Sequence, residues 1–366
     1  MRVFFDGWSL VYQPNHPEAM HLRELLNHCP DDCELNLALP GQVDERSGLP
    51  GKVRQVIQSA ENTPTSHLRW EQRTLNEIAQ QGHADLLHLT TPTPALFGKL
   101  PTVVSPAGFA QAVNRTGSSL ASRLRQALSY GAMQRVAAVF WPEELPQPSY
   151  PARIIRLPGL VGPDFNPNEL PDLSRLRPLN VPETYLLYHG PQDHSTLHRL
   201  LATWSWAAGS IGDLYPLVMV GFQQEDLRQE LLELAEQANL AAYLVILPEV
   251  PPGTLPSLYR GSSGLLHFGE ISAWGGPVRY ALACGKPVIG DETPAADVLV
   301  GPAGYLFPRE EARRMGASLL SIVVNEDVAI ALRDAAIKQA AAWQSELFPE
   351  RLLQAYRQVL GESTDA

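Results

Sequence analysis

The sequence predicts an α/β protein built from two doubly wound, Rossmann-like halves, and three observations carry that expectation. Short apolar runs of strand length alternate with stretches of helical period. The alternation occurs twice, and a proline-rich segment with few apolar residues separates the two series. A length of 366 residues suits this arrangement, because domains run to about 150 residues each.

In the first series RVFFD precedes the helical AMHLRELLNHC, and ELNLALP, DLLHLT and TVVS follow as strands. The long helical stretch SSLASRLRQALSYGAMQRV then leads into the strand AAVFW. The second series opens with TYLLYHG and the helix through LHRLLATWSWAAG. It continues with LVMVG, the helix DLRQELLELAEQA, AYLVI, the helix LPSLYRGS, GLLHFG, the helix VRYALACG and PVIG. Between the series lies VGPDFNPNELPDLSRLRPLNVPE, which reads as a linker. The expected organisation is therefore a domain over 1–161, a hinge over 162–182, a second domain over 183–345 and a terminal helix over 346–366. Pro349 is placed to open that helix, with Leu352, Leu353, Tyr356 and Leu360 on one face. Two tandem domains of this type are expected to form a cleft at the carboxyl ends of their strands, the default ligand site.

Composition narrows the function classes. A formal charge of -11 and only 18% charged residues exclude a basic nucleic-acid surface. No apolar run approaches the length of a membrane span, and MRVFFDGWSLVYQ lacks the pattern of a secretory signal. A soluble, cytoplasmic protein is expected, with Cys29, Cys33 and Cys284 reduced.

Several catalytic motifs are absent. No G-x-G-x-x-G follows a strand, and ACGKP lacks both the glycine spacing of a P-loop and a Ser or Thr after Lys286. No G-x-S-x-G elbow occurs. His28, Cys29 and Cys33 lack a second ligand pair, so they read as exposed turn residues and no metal is expected. Asn114-Arg115-Thr116 is a chance glycosylation match, and Arg123, Arg125 and Arg135 read as a solvated helix face rather than a membrane-facing stripe. The informative stretch is HFGEISAWGGPVRYALACGKPVIG, residues 267–290. Its glycines precede a helix opened by Pro277, a geometry in which backbone N–H groups can approach a phosphate or in which the glycines merely turn the chain.

With those segments in view, the chain resembles a GT-B glycosyltransferase of the family 4 (group 1) kind. WGGPVRYALACGKPVIG is similar to that family's F-G-x-P-x-x-E-A-x-A-C-G-x-P-V-V, and LPEVPPGTLPSLYRGSSGLLHF resembles its nucleobase-side strand and helix. IIRLPGLVGPDFNP resembles its V-x-P-N-G-V-D-x-x-x-F-x-P hinge, and FPERLLQAYRQVL its terminal helix returning to the N-terminal domain. The resemblance implies retaining transfer of a sugar from a nucleotide-diphosphate donor to the hydroxyl of a glycan or other acceptor, with no metal or cofactor. It implies donor contacts from His189, Gly190, Glu249, Val250, Trp274, Gly275 and Gly276.

The family's charged residues are replaced. Where the family has an Arg and a Lys for the diphosphate, this chain has Pro191 and a position at or near Ser195. Where it has two glutamates, an ungapped match places Ser272 and Tyr280, and its sugar-side histidine falls at Ala107-Gly108. The glycine-rich loop after the first strand is replaced by QPNHPEAM. Losing two charge-assisted contacts at about 1.5–3 kcal/mol each weakens diphosphate binding by roughly 10²- to 10⁴-fold. His194, His198 and Arg199 lie just beyond the missing pair, and Glu270 lies two residues before Ser272. Two readings remain open: a transferase with a diverged donor site, and a catalytically silent GT-B scaffold binding a glycan, a nucleotide or a partner glycosyltransferase. A GT-B epimerase or phosphorylase has less residue support, since no cofactor lysine can be placed among Lys52, Lys99, Lys286 and Lys338.

Overall fold

The computed structural model describes residues 1–14, 16–43, 48–108, 127–128, 131–148, 150–248, 250–269, 271–343 and 346–361. Asn114-Arg115-Thr116, Arg123, Arg125, Glu249, Glu270 and most of the 118–136 stretch lie outside these residues. The chain forms two compact units. Unit 1 comprises Met1–Leu160, Ser272–Gly275 and Ser345–Ala366, and unit 2 comprises Val161–Ile271 and Gly276–Gln344.

Unit 1 is organised on seven strands: β1 (Arg2–Asp6), β2 (Glu34–Leu39), β3 (Arg54–Ile57), β4 (Leu86–Leu89), β5 (Thr102–Val104), β6 (Ala138–Pro142) and β7 (Ile154–Leu157). All pair in parallel in the order β3-β2-β1-β4-β5-β6-β7. Val3, at the sheet centre, sits opposite Leu35 on one side and Leu86 on the other. A parallel sheet is covered on both faces, which is why RVFFD and LLHL read as continuous apolar runs rather than alternating ones. The helix Pro17–Asn27 begins with Pro17 in its first turn, where a missing N–H is harmless, and buries Ala19, Leu22, Leu25 and Leu26. Pro64–Arg69, Trp70–Thr74 and Leu75–Gln81 follow one another, the middle segment being a wider π-type turn. The terminal helix Phe348–Leu360 carries Pro349 in its first turn and ends at Gly361 in the left-handed region. Its Phe348, Leu352 and Tyr356, spaced by four, are buried within unit 1, whereas Leu353 and Leu360 are half-buried.

Unit 2 holds β8 (Leu186–Tyr188), β9 (Leu217–Val220), β10 (Leu244–Leu247), β11 (Leu265–His267), β12 (Val288–Asp291) and β13 (Gly304–Phe307). These too are parallel, in the order β10-β9-β8-β11-β12-β13. Helix His194–Ile211 covers this sheet through Leu197, Leu200, Trp204 and Ala207. At the β12–β13 pairing a side chain at Gly304 would place Cβ 1.9 Å from the Val288 carbonyl, so only glycine allows the close approach. In both sheets the strand order reverses beside the first strand. The switch points, where doubly wound sheets take ligands, thus lie between β1 and β4 and between β8 and β11.

One sequence expectation is amended. Cys29 and Cys33 are buried, not exposed turn residues. Burial pushes the Cys33 thiol up to about 11 and Cys29 higher still, so neither is a ready thiolate. The IIRL that opens the hinge-like motif is β7, an edge strand of unit 1. Within 162–182, Phe165 and Leu176 are buried in unit 2, and the Asp172 N–H donates to Ser257 Oγ at 3.1 Å. No single helix among the described residues is long and apolar enough to cross a membrane.

The terminal helix is expected to be structural. Leu352, fully buried, truncated to alanine should destabilise the protein by about 2–5 kcal/mol in urea unfolding.

Candidate functional site

At the unit-2 switch point β8 ends at Tyr188 and the chain turns through His189 and Gly190. His189 is buried, its Nδ1 hydrogen-bonded to the Tyr259 hydroxyl at 2.8 Å, and its carbonyl accepts from His267 Nδ1 at 2.7 Å. Burial, then the neighbouring His267, pushes the His189 imidazole down to about 3. It is neutral at physiological pH and supplies no charge to an anion. Gly190 packs against Tyr188 and Phe268; a Cβ there would lie 3.0 Å from the Tyr188 hydroxyl.

The turn into helix His194–Ile211 carries a carboxylate where a diphosphate site calls for cations. Asp193 is the helix N-cap, its Oδ1 accepting from the Thr196 N–H at 3.0 Å and from Ser195 Oγ at 2.6 Å. Partial burial opposes its ionisation, but the hydrogen bonds from Ser195 and Thr196 hold it below the usual carboxylate range. Pro191 and Ser195 are exposed, and the Pro191 carbonyl accepts from the Tyr188 hydroxyl at 2.6 Å. The nearby basic residues differ in their engagement. His194 is bonded to Glu230, and His198 is exposed on the helix. Arg199 forms a two-pronged ion pair with Asp291 at the end of β12, Nη1 reaching Oδ2 at 2.8 Å. Its guanidinium also lies 4.0 Å over the Phe268 ring.

After β11, Gly269 in the left-handed region (φ +79°) donates its N–H to Asp291 Oδ2 at 2.7 Å. The following tetrapeptide, Ser272–Gly275, belongs to unit 1. There the Ala273 N–H donates to the Ala107 carbonyl at 2.6 Å, and Ser272 Oγ donates to the Trp274 carbonyl, with the Ala107 carbonyl 3.2 Å away. Trp274 is 1% exposed and stacks on His21 with ring centroids 5.1 Å apart. Gly275 (φ +47°) and Gly276 (φ +84°) then return the chain to helix Pro277–Ala283, a conformation that favours glycine. The first turn of that helix is buried, and Pro277 removes one N–H donor from it. Tyr280 is buried in unit 2, stacked on Phe165 at 3.9 Å and edge-on to Tyr259.

Of the residues singled out in the sequence, His189, Gly190 and Tyr280 belong to unit 2, His189 and Tyr280 meeting around Tyr259, whereas Ala107, Ser272, Trp274 and Gly275 belong to unit 1. Gly276 begins the return to unit 2, Val250 is half-buried after β10, and Glu249 lies outside the described residues. Sequence reasoning missed the Arg199–Asp291 pair and the Phe165–Tyr280 stack. The aspartate that closes the VIGD strand was the available signal for the first. For the second, only Phe165, an aromatic among prolines, stood out.

Known proteins agree with this architecture. Residues 198–343 match the family described as Glycosyl transferases group 1. O-antigen chain mannosyltransferase B of Escherichia coli is 24% identical over 139 residues, 37% of this chain and 36% of that protein, so this chain spans well under half of its curated relative. WaaG, a glycosyltransferase involved in lipopolysaccharide biosynthesis, superposes with a TM-score of 0.74 at 13% identity over 99% of this chain and all of its own. Sucrose-phosphate synthase from Thermosynechococcus elongatus gives 0.72 at 14% identity over 99% of this chain and all of that one. Anabaena HepE, in complex with UDP and glucose, gives 0.69 at 14% identity over 98% and 100%. The fold is GT-B.

Two outcomes test the geometry. His189 should show no imidazole titration by NMR between pH 5 and pH 8, because its folded value lies near 3. Arg199→Met, which leaves the largely buried Asp291 carboxylate unpaired, should cost about 3–5 kcal/mol in chemical denaturation.

Proposed function

We propose that this chain, GT-B in fold and matched to group 1 glycosyltransferases over residues 198–343, is a glycosyltransferase homologue that does not turn over a nucleotide-sugar by the family's donor constellation and serves as a binding scaffold. The observation that carries this reading is the seating of the Ser272–Ala273 backbone on Ala107, whose carbonyl accepts from the Ala273 N–H at 2.6 Å with Ser272 Oγ 3.2 Å away. Ser272 and Ala107 are the positions at which the resemblance puts the sugar-facing glutamate and the sugar-side histidine. A donor sugar has to stand between such groups, and here they close on each other with Trp274 buried behind them. Electrostatics support the same reading. Asp193 caps the helix at the diphosphate turn, Arg199 is consumed by Asp291, and His189 is neutral. Transition-state charge on a leaving diphosphate therefore has no preorganised cation among the described residues of that turn. The partners of such a scaffold are a glycan, a nucleotide or a second glycosyltransferase.

One observation favours the second reading, retaining transfer from a nucleotide-diphosphate sugar to a hydroxyl acceptor. Gly275 and Gly276 keep positive φ ahead of Pro277, as a loop presenting backbone N–H groups to phosphate requires.

The scaffold reading expects neither donor hydrolysis nor sugar transfer from UDP- or GDP-sugars at high protein concentration, including any nucleotide that stabilises the protein in a thermal-shift screen. Multiple-turnover sugar transfer that Gly275→Trp abolishes overturns it and establishes the second reading.

A further inference from the structure

A second switch point, that of unit 1, carries a cavity that the donor-site argument does not use. It encloses about 240 Å³ at the carboxyl ends of β1 and β4. Asp6 and Trp8 form its floor, and Gln13, His16 and Glu18 come from the segment after β1. Ser9, His67 and Thr91 complete the wall. No lysine or arginine lines it among the described residues.

Asp6 is 6% exposed. Its Oδ1 is saturated, accepting from the Trp8 N–H at 3.0 Å and from Trp70 Nε1–H at 2.8 Å. Its Oδ2 accepts no hydrogen bond from any described residue, and the residue borders the cavity. A carboxylate oxygen bordering a cavity can accept from a ligand donor without giving up a bond to the protein. Two further carboxyl groups set the sign of the field. Glu18 in the wall lies 3.5 Å from His16 Nδ1, and buried Glu71 lies 3.3 Å from His67 Nε2. His67 is held flat against Trp8 with ring centroids 4.2 Å apart, which leaves the cavity rigid on that side. The remaining wall groups, Ser9, Gln13 and Thr91, are short neutral donors and acceptors suited to hydroxyls.

We propose that this cavity binds a primary amine carried on a small polyhydroxylated frame, with the ammonium against Asp6 Oδ2 and the hydroxyls against Ser9, Gln13 and Thr91. A neutral polyol of the same shape leaves the carboxylate unmatched, and an anion meets three carboxyl groups. The site makes no demand on unit 2, so it stands whether or not a nucleotide-sugar is turned over.

Titration gives the site a signature. Burial, then Glu71 and Glu18, raises the Asp6 carboxyl to about 6 against the lowering effect of the Trp70 and Trp8 hydrogen bonds. Ammonium binding needs the ionised form, so affinity rises as pH climbs through 6 and falls below it. His16, whose pKa is raised chiefly by its bond to Glu18, becomes cationic at low pH and acts in the same direction.

Isothermal titration with glucamine (1-amino-1-deoxyglucitol) and its neutral counterpart glucitol tests the proposal. Glucamine is expected to bind at pH 7.5 at least tenfold more tightly than glucitol, and to weaken about tenfold at pH 5, where roughly a tenth of a pKa-6 carboxyl is ionised. Asp6→Asn keeps the oxygen that serves Trp8 and Trp70 and removes only the charge; it should sharply reduce the preference and leave only the smaller pH dependence contributed by His16. Glu18→Gln, away from the Trp70 contact, should lower glucamine affinity and leave glucitol unchanged, which protects the test against a folding defect in the first variant. Equal binding of the two ligands, no binding of glucamine, or an undiminished preference in folded Asp6→Asn overturns the assignment.

Discussion

The ion pair between Arg199 and Asp291 governs what unit 2 can do at its switch point. Asp291 closes β12, Arg199 stands on the first long helix after β8, and the N–H of Gly269 at the end of β11 donates to the same carboxylate. Three elements are thus held by one carboxyl group, and the guanidinium is pinned over Phe268 besides. Charges this far from solvent are tolerated only when paired and hydrogen-bonded. The arrangement that makes the turn rigid therefore withdraws its nearest cation from any ligand. A phosphate competing for Arg199 has to leave Asp291 buried and unpaired, a penalty comparable to the affinity it gains.

Unit 1 solves the same mechanical problem with a neutral partner. Asp6 closes β1 and, through Oδ1 alone, holds both the Trp8 backbone and the Trp70 indole, the latter brought round by the π-type turn. No cation saturates it. One strand-end carboxylate is spent entirely on structure, while the other retains an oxygen for chemistry, and the difference follows from the identity of one partner, a guanidinium against an indole. Sheets of one topology thus present opposite prospects for ligand binding.

Much of the fold was legible because it is written in distributed, local terms. Runs such as RVFFD and LLHL, the helix punctuation by Pro277 and Pro349, and repetition of the strand–helix pattern each announce an element without reference to distant residues. Strand β3 escaped because Arg54, Gln55 and Ile57 are exposed at the sheet edge and leave no apolar run. Cys29 and Cys33 were misread because their burial comes from the segments packed around them, not from their polar Pro-Asp-Asp neighbours. The candidate site was legible only as positions, Pro191, Ser195, Ser272 and Tyr280, that the resemblance singles out. What surrounds them was not, since the Ser272–Ala107 contact spans 165 positions and the Arg199–Asp291 bond spans 92.

The tetrapeptide Ser272–Gly275 shows how far such contacts reach into unit 1. Trp274 stacks on His21; His21 Nε2 is hydrogen-bonded to Ser105 Oγ at 2.8 Å, and Ser105 Oγ to His88 Nε2 at 2.8 Å. His88 Nδ1 in turn bonds the Tyr356 hydroxyl at 2.6 Å on the terminal helix. Burial pushes His88 down to about 3, so that imidazole is neutral. A serine hydroxyl has one proton to give, and a neutral imidazole has one donor and one acceptor. If Tyr356 donates to His88 Nδ1, then His88 donates from Nε2 to Ser105, so the Tyr356 bond fixes the direction of the next one. Glycines at 275 and 276 let the backbone enter and leave this packing, and the relay behind Trp274 gives it a fixed seat. The segment is held within unit 1 by the packing of Trp274 on His21 and by the Ala273 N–H on the Ala107 carbonyl.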